Sequence, residues 1–298
     1  MEQRSGFITH RVDDGRLLQQ LNAAGQAQPC AVGILLDIHT QGRNSLDIVR
    51  HGIRTDAQGR RRAPVAVGQL LVDKGEHRHF MAKEIHEQPT VAAHCLGRHL
   101  SADRARAAGP AEAVDWRALD RLTLVACGTG HYACMVAKYW FENYTGISCQ
   151  VEVASEYRYR RQVVPDGTLF VTLSQSGETA DTLAALREAG TQNLVSTLSI
   201  CNVDQSSLVR ESELVLLTRA GPEIGVASTK AFTTQLVALQ LLVLALAQAR
   251  GDTEISESLI SALRSLPQRI ENALQSDARI EKICQDFIDK QHALFLGR

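Results

Sequence analysis

Residues 173–179 read Leu-Ser-Gln-Ser-Gly-Glu-Thr and join two stretches with different hydrophobic periods. The preceding residues 168–172 are apolar, β-branched or aromatic, and the turn residues Pro165, Asp166 and Gly167 stand before them. Such a run is typical of a buried strand in a parallel sheet. In residues 181–187, apolar side chains recur at helical spacing behind an acidic first turn. The stretch therefore predicts a strand, a tight turn and a helix in succession.

The turn is rich in small polar side chains, since Ser174, Gln175, Ser176 and Thr179 surround Gly177. At the start of a helix, unpaired backbone N–H groups and the helix dipole favour an anion by up to ~1 kcal/mol, and phosphate groups bind there. The turn has no lysine of the kind that a nucleotide-binding P-loop needs, which favours a sugar phosphate over a nucleotide. A simpler alternative is that these residues only cap an ordinary helix.

The composition is that of an ordinary globular protein, with 298 residues, 44% hydrophobic and 22% charged, and a formal net charge of −1. This balance argues against nucleic acid or an anionic membrane as a partner. The apolar run of residues 236–249 is short for a membrane span and contains Gln240 and Gln248. Because the N-terminus also lacks an apolar signal core, we expect a cytoplasmic protein.

Cysteines and histidines give little indication of a metal site. The seven cysteines are scattered and never spaced as Cys-x-x-Cys, so neither a disulfide framework nor a zinc site is predicted. Five histidines lie close together in the sequence: His77, His79, His86, His94 and His99. No His-x-x-x-His pair completes a metal site among them. We expect surface and packing histidines and no bound metal.

Outward from the central stretch, apolar segments alternate with helical ones. The five predicted strands are residues 122–127, 151–154, 168–173, 194–200 and 213–218. This alternation predicts an α/β fold with a doubly wound parallel five-stranded sheet of flavodoxin-like type. Gly128 and Gly130 form a turn after the first strand, but without a third glycine they predict a dinucleotide only weakly. Ser228 is expected to cap a long helix over residues 229–249.

The two ends of the chain are harder to interpret. Residues 1–75 form a poorly readable N-terminal extension, in which residues 30–38 are a candidate strand. Residues 76–120 are predicted to be a connecting segment whose helix stops at Pro89. Two helical stretches, residues 250–267 and 269–289, are expected to be split near Pro267. A further strand is expected to start at His292.

Residues 174–179 resemble the central motif of the sugar isomerase (SIS) domain. Residues 125–129, 199–212 and 223–235 agree with it, and together the four blocks resemble the family of glutamine–fructose-6-phosphate aminotransferases (isomerizing), or glucosamine-6-phosphate synthases. The similarity extends from about residue 78 to residue 298. It implies a first SIS domain over residues 121–290 and the start of a second, truncated one at residues 291–298.

The resemblance also implies a ligand, fructose 6-phosphate or glucosamine 6-phosphate, a homodimer, and no cofactor. The implied substrate-binding residues are Thr129, Ser174, Gln175, Ser176, Thr179, Val226 and Ser228. The first five match the phosphate side of the family site, and the last two match positions that contact the sugar. The chain departs from the family at Gly130, where a serine is usual, so one hydrogen bond worth about 1.5–3 kcal/mol is in doubt.

No catalytic residue is assigned. In the family the general base and its partners lie in the second SIS domain. Glu178 and Glu223 are the carboxylates nearest the expected site, but a helix start and a turn give each a simpler role. Lys230 is read either as a phosphate partner or as an ordinary helix lysine. The family's glutaminase uses a cysteine exposed by removal of Met, whereas Glu2 stands here, so we expect no glutaminase activity.

Three hypotheses remain open at this stage. The chain is the phosphosugar-binding half of a glucosamine-6-phosphate synthase, without turnover of its own. Alternatively it is a free-standing SIS module that binds or senses a sugar phosphate, although residues 1–75 show no basic helix-turn-helix. The third possibility is a complete isomerase that works as a dimer with catalytic groups that the motifs do not reveal.

Overall fold

The computed structural model describes residues 73–101 and 114–294, together with the backbone of a two-residue antiparallel pair, Arg54–Thr55 with Arg61–Arg62. The chain divides into two compact units, Met1–Gly33 and Ile34–Arg298, and the first lies wholly outside the described residues. The candidate strand at residues 30–38 also lies outside them. Of the strand expected from His292, residues 292–294 have no regular structure, and the remainder is not among the described residues.

A five-stranded parallel sheet forms the centre of the fold. Its strands are β1 (Arg121–Ala126), β2 (Ser148–Val153), β3 (Thr168–Ser174), β4 (Ser196–Cys201) and β5 (Leu214–Leu217). They lie in the order β2-β1-β3-β4-β5, and every neighbouring pair is parallel. This is the flavodoxin-like order, with its reversal between β1 and β3. The predicted fold class is confirmed, with strand ends shifted by a few residues.

Helices cover both faces of this sheet. They are α1 (Phe80–His99), α2 (Gly128–Thr145), α3 (Ala154–Tyr157), α4 (Ala180–Ala189), α5 (Ser207–Glu211), α6 (Lys230–Ala249), α7 (Thr253–Leu274) and α8 (Asp277–Gln285), with a 3-10 turn at Trp116–Ala118. On one face, α1, α2, α6 and α7 share a core with alternate strand residues such as Leu124 and Val171. On the other, α3, α4 and α5 pack around Val125 and Phe170. Every residue of the inner strands β3 and β4 is buried, as expected of strands covered on both sides.

Both prolines that were expected to end helices lie inside them. Pro89 is within α1 and Pro267 within α7, so these two predicted helix ends are wrong. A proline in a helix leaves the carbonyl of the residue four positions earlier without its usual donor. For Pro89 that carbonyl belongs to Ile85, and the Gln88 side chain donates to it from Nε2 at 2.9 Å. The buried face of α1, which includes Cys95, continues beyond the proline.

Helix α6 is the most apolar of the long helices in the described chain. By length and composition it could cross a membrane, but 67% of its apolar window is buried inside the fold. Val237, Leu241 and Leu244 belong to the same core as the sheet. Within the described residues, α6 therefore behaves as the core helix of an α/β domain.

Candidate functional site

The reversal of strand order sets the place of the candidate site. Strands β1 and β3 are neighbours in register, with Ala126 paired to Leu173, so the two strands end at the same level. Their chains leave toward opposite sides of the sheet, to β2 and to β4. In open α/β sheets ligands bind in the crevice at this switch point, beyond the carboxyl ends of the strands. Thr129 and the turn at residues 174–179 both follow these strand ends.

Hydroxyl groups shape the turn between β3 and α4, called here the cradle turn (residues 174–179). Ser174 Oγ accepts a hydrogen bond from the Gly177 N–H at 2.9 Å and lies 3.2 Å from Thr179 Oγ1. Ser176 Oγ accepts from the Glu178 N–H at 3.2 Å. These contacts are short-range, so the turn holds its own backbone in place.

Gly177 is required by the conformation of the cradle turn. Its φ of 68° lies in the left-handed region that other residues avoid. A Cβ there would lie 2.1 Å from Ser206 Oγ and 2.7 Å from Cys201 Sγ. The turn therefore packs directly against the last residue of β4 and the segment after it, which leaves no room for a side chain.

The residues of the cradle turn differ in how open they are. Ser174 is buried, with 7% of its surface exposed, and its hydroxyl is used inside the turn. Gln175, Ser176 and Thr179 are half-buried, and Thr129 is exposed. Helix α2 begins at Gly128, so Thr129 lies in its first turn, where backbone N–H groups are unpaired. An anion in the crevice would contact the start of α2 and the half-buried polar groups. The buried Ser174 would support these groups through its hydrogen bonds within the turn.

Gly130 lies against the floor of the crevice. A Cβ at this position would lie 3.4 Å from Ala126 Cβ and 3.8 Å from both Leu173 Cβ and Gln235 Oε1. Gln235 Oε1 is buried and has no hydrogen-bond partner. A serine at position 130 would therefore place its hydroxyl beside an unsatisfied acceptor, which the present glycine cannot do.

The second candidate segment is the loop between β5 and α6, called here the sugar loop (residues 218–229). Val226 is fully exposed, and Ser228 Oγ donates to Glu223 Oε2 at 3.1 Å. Glu223 Oε1 in turn accepts from the backbone N–H groups of Thr229 at 2.8 Å and Ala231 at 3.1 Å. The helix start is thus capped by Glu223, and the prediction that Ser228 caps it is wrong because the carboxylate reaches both amides.

The charged candidates near the site are engaged with the protein itself. Glu178 precedes the first turn of α4 and accepts from the Ser207 N–H at 2.7 Å, which ties the cradle turn to α5. Glu223 caps α6, as described above. Lys230 is 4% exposed and its Nζ lies 2.6 Å from Glu87 Oε2 on α1. Both carboxylates thus have structural roles, and Lys230 is a buried helix lysine in an ion pair.

The described histidines and cysteines form no metal-binding cluster, and several of them are held by the protein itself. Within that part of the chain no group of three or more His, Cys, Asp or Glu side chains could hold a metal ion. His99 Nε2 instead lies 2.8 Å from the Leu217 carbonyl, and His86 Nδ1 lies 2.8 Å from that of Ala82. Burial raises the pKa of both Cys95 and Cys149 to about 12, so these thiols remain protonated at neutral pH.

The residues around this crevice match a known protein family. The SIS domain family matches residues 117–245, a range that includes both strands of the switch point and the cradle turn. The chain contains an SIS domain. The resemblance predicted from the four sequence blocks is therefore confirmed.

Curated relatives of the SIS region are enzymes. Glutamine–fructose-6-phosphate aminotransferase [isomerizing] of Pseudomonas putida is 57% identical over 235 residues, and its counterpart in Haemophilus influenzae is 50% identical over 230 residues. These alignments cover 78% and 76% of the chain, but only 38% of each relative. The chain thus spans well under half the length of the proteins it matches.

A solved structure agrees with this comparison. The C-terminal domain of glucosamine-fructose-6-phosphate aminotransferase from Francisella tularensis is 45% identical and superposes with a TM-score of 0.72. The match covers 76% of this chain and 64% of that one. The predicted similarity to the SIS part of these aminotransferases is confirmed at the level of structure.

Sequence reasoning missed residues that shape the candidate site through contacts between distant parts of the chain. Asn202 donates from Nδ2 to the Gly221 carbonyl at 2.8 Å and accepts from the Ala220 N–H at 2.6 Å, so it holds the sugar loop. Its own N–H donates to the Gln175 carbonyl at 3.3 Å, which links the loop to the cradle turn. An asparagine two residues after a predicted strand was a usable indication. Glu84, on α1, had none, because its partners lie about 140 positions away.

Proposed function

We propose that this SIS domain binds a hexose 6-phosphate, either fructose 6-phosphate or glucosamine 6-phosphate. The observation that carries the proposal is the register of β1 with β3, which brings the Thr129 helix start and the cradle turn to one switch point. Helix starts and hydroxyl-rich turns of this kind are suited to phosphate. The name of the relatives, glutamine–fructose-6-phosphate aminotransferase, supports a fructose 6-phosphate ligand.

Within the site we propose a division between the two ends of the sugar. The phosphate group would be surrounded by the residues at the carboxyl ends of β1 and β3, which are Thr129, Ser174, Gln175, Ser176 and Thr179. Val226 and Ser228 would contact the sugar, since the sugar loop follows β5 at the same edge of the sheet. In a parallel sheet all of these segments leave the strands in one direction.

The proposed biological role is that of the phosphosugar-binding half of a cytoplasmic aminotransferase of this type. The first SIS domain would span residues 121–290, after a connecting segment at residues 76–120, and a second would start at residues 291–298. Moving a proton between adjacent carbons needs a positioned general base. Because Glu178 and Glu223 are hydrogen-bonded to backbone amides, we assign neither as a base and expect no turnover by this chain.

Isothermal titration with fructose 6-phosphate and glucosamine 6-phosphate tests the proposal. The unaltered chain should bind at least one of them, and Ser176→Ala should weaken binding at least about tenfold by removing a hydroxyl that can donate to the phosphate. Ser261→Ala, on the exposed surface of α7, is the matched control and should change nothing. No heat of binding from either sugar would refute the proposal, and product formed by the chain alone would establish an isomerase.

We also propose that the chain forms a homodimer. A row of exposed side chains on α2 supports it: Tyr132, Met135, Val136 and Tyr139 are 62, 48, 41 and 66% exposed and share one helix face. Contiguous apolar surface of this kind commonly marks an interface. Light scattering should report two copies, and Tyr139→Glu should shift the population toward monomers. A monomeric unaltered chain at micromolar concentration would contradict the proposal.

A further inference from the structure

Helix α1 reaches the sugar loop through a buried carboxylate. Glu84 is 2% exposed. Its Oε1 accepts from the Ile224 N–H at 2.5 Å, and both of its oxygens lie 3.1 Å from the Gly225 nitrogen. Hydrogen bonds to an ionised acceptor are about twice as strong as neutral ones. The conformation of the loop at these two residues is therefore fixed by a residue that sequence reasoning placed in a connecting segment.

The charge of Glu84 is balanced by these amides. It forms no ion pair with any residue in the part of the chain that the structure describes. A buried carboxylate is costly unless hydrogen bonds satisfy it. The amides of the sugar loop therefore stabilise the carboxylate, and the carboxylate in turn restricts where those amides lie. Displacement of the loop would leave a buried charge without partners.

Further contacts from α1 hold the residues that follow the loop. Glu87 pairs with the buried Lys230, and Gln88 Oε1 accepts from Thr233 Oγ1 at 2.6 Å. Both partners lie in the first turn of α6. The same face of α1 thus contacts the loop and the start of the helix into which it runs.

Gly225 shows how closely the loop lies on α1. A Cβ at this position would lie 2.5 Å from Glu84 Oε2 and 3.4 Å from the Met81 Cα. The loop backbone therefore rests on the backbone of the helix. The next residue, Val226, has its side chain fully exposed.

We propose that Glu84 is a positioning residue for sugar recognition, which it supports by fixing the backbone from which Val226 and Ser228 project. This inference rests on the proposed function, in which those two residues contact the sugar and the cradle turn contacts the phosphate. The hydrogen bonds of Glu84 within the described residues go to the sugar loop and not to the cradle turn. Its loss should therefore weaken recognition of the sugar and spare recognition of the phosphate.

The test is Glu84→Gln in the full chain, followed by amide chemical-shift titrations with fructose 6-phosphate and, separately, with inorganic phosphate. A glutamine keeps the size of the side chain but directs an NH₂ group toward backbone donors. We expect the Kd for fructose 6-phosphate to rise about tenfold, with the Val226 amide no longer responding. Phosphate should still shift the Ser176 amide with a Kd within about twofold of the unaltered chain.

Two further variants make the result interpretable. Gly225→Ala forces the end of the Glu84 side chain away from the loop while keeping its charge, and should reproduce the same pattern. Glu271→Gln, on the exposed part of α7, is the matched control and should leave both titrations unchanged.

Equal weakening of both ligands by Glu84→Gln and Gly225→Ala would overturn the inference, because a general loss of structure would then explain the result. Unchanged binding of fructose 6-phosphate would also overturn it. Failure of the unaltered chain to bind either fructose 6-phosphate or glucosamine 6-phosphate would instead refute the proposed function, and this inference with it.

Discussion

The cradle turn and the sugar loop lie at the same edge of one sheet but are held in different ways. In the cradle turn, Ser174 and Ser176 bond to backbone groups two or three positions away. In the sugar loop, the partners are Glu84, from about 140 positions earlier, and Asn202, from 18 or 19 positions earlier. The hydroxyl groups of the cradle turn thus hold its backbone locally, although Glu178 also accepts from the distant Ser207 N–H. The sugar loop has local bonds to Glu223, but its backbone also depends on two side chains from distant elements.

This difference suggests how the site divides its work. A phosphate group is the same in every hexose phosphate, so a turn that is fixed locally suits it. The sugar ring varies between ligands, and the loop proposed to meet it depends on contacts that a distant residue can change. Variants that break local and distant contacts should therefore have different effects on stability and on ligand choice.

The largest effect is expected from Gly177→Ala in the cradle turn. The alanine would be forced into a left-handed conformation, and its Cβ would overlap Ser206, whose Oγ lies 2.1 Å from that position. Strain and overpacking together should lower the free energy of unfolding by about 3 kcal/mol. Urea unfolding followed by circular dichroism measures the change.

Gly146→Ala separates the two causes of that loss. Gly146 has a φ of 66°, but a Cβ there would meet nothing within 4 Å. It should therefore show the left-handed penalty alone, about 1 kcal/mol. If both variants lose the same free energy of unfolding, overlap with Ser206 contributes nothing to the loss at Gly177. The tight packing of the cradle turn against Ser206 would then be contradicted.

An intermediate effect is expected from Asn202→Ala, which removes the side chain that anchors the sugar loop to β4. The Ala220 N–H, in a residue that is 1% exposed, would lose its acceptor, and the Gly221 carbonyl would lose its donor. We expect a loss of about 2 kcal/mol in the free energy of unfolding. Asn193→Ala, which removes an exposed hydrogen bond to Asp166, is the control and should cost well under about 1 kcal/mol.

The features that could be predicted from the sequence are those that depend on residues close together in the chain. Alternating apolar and helical segments predicted all five strands, because burial on both faces requires continuous apolar runs such as residues 168–173. The cradle turn was predictable for a related reason. Its glycine and hydroxyl residues are adjacent in the chain, so their spacing carries the information.

The remaining features depend on contacts between distant residues. From the sequence, Pro89 predicts a helix end, because the Gln88 side chain that compensates for it acts only in the folded helix. Ser228 is the capping residue that the sequence predicts for α6, because no local pattern shows that Glu223 folds back onto the amides at the helix start. The role of Glu84 requires knowing that α1 packs against the sugar loop.

The smallest effect on stability is expected for a long-range ion pair between α4, the helix that follows the cradle turn, and α5. Arg187 on α4 donates to Glu211 on α5 through two hydrogen bonds, of 2.7 Å from Nε and 2.6 Å from Nη2. The pair is largely exposed to solvent, and such pairs contribute little. Glu211→Gln should lower Tm by less than about 3 °C, and Arg187→Gln should match it.

The pH dependence of this pair distinguishes it from a packing effect. The hydrogen bonds from Arg187 hold the pKa of Glu211 below its ordinary value of 4.5. A carboxylate whose pKa is lowered on folding stabilises the native state above its unfolded pKa, and that contribution is lost as the pH falls through the folded value. The Tm difference between the unaltered chain and Glu211→Gln should therefore be constant above about pH 5 and shrink in more acidic solution. If the Tm difference between the unaltered chain and Glu211→Gln persisted unchanged at pH 3, the glutamine would be disturbing the packing between α4 and α5. The exposed ion pair would then contribute nothing to the stability of this contact.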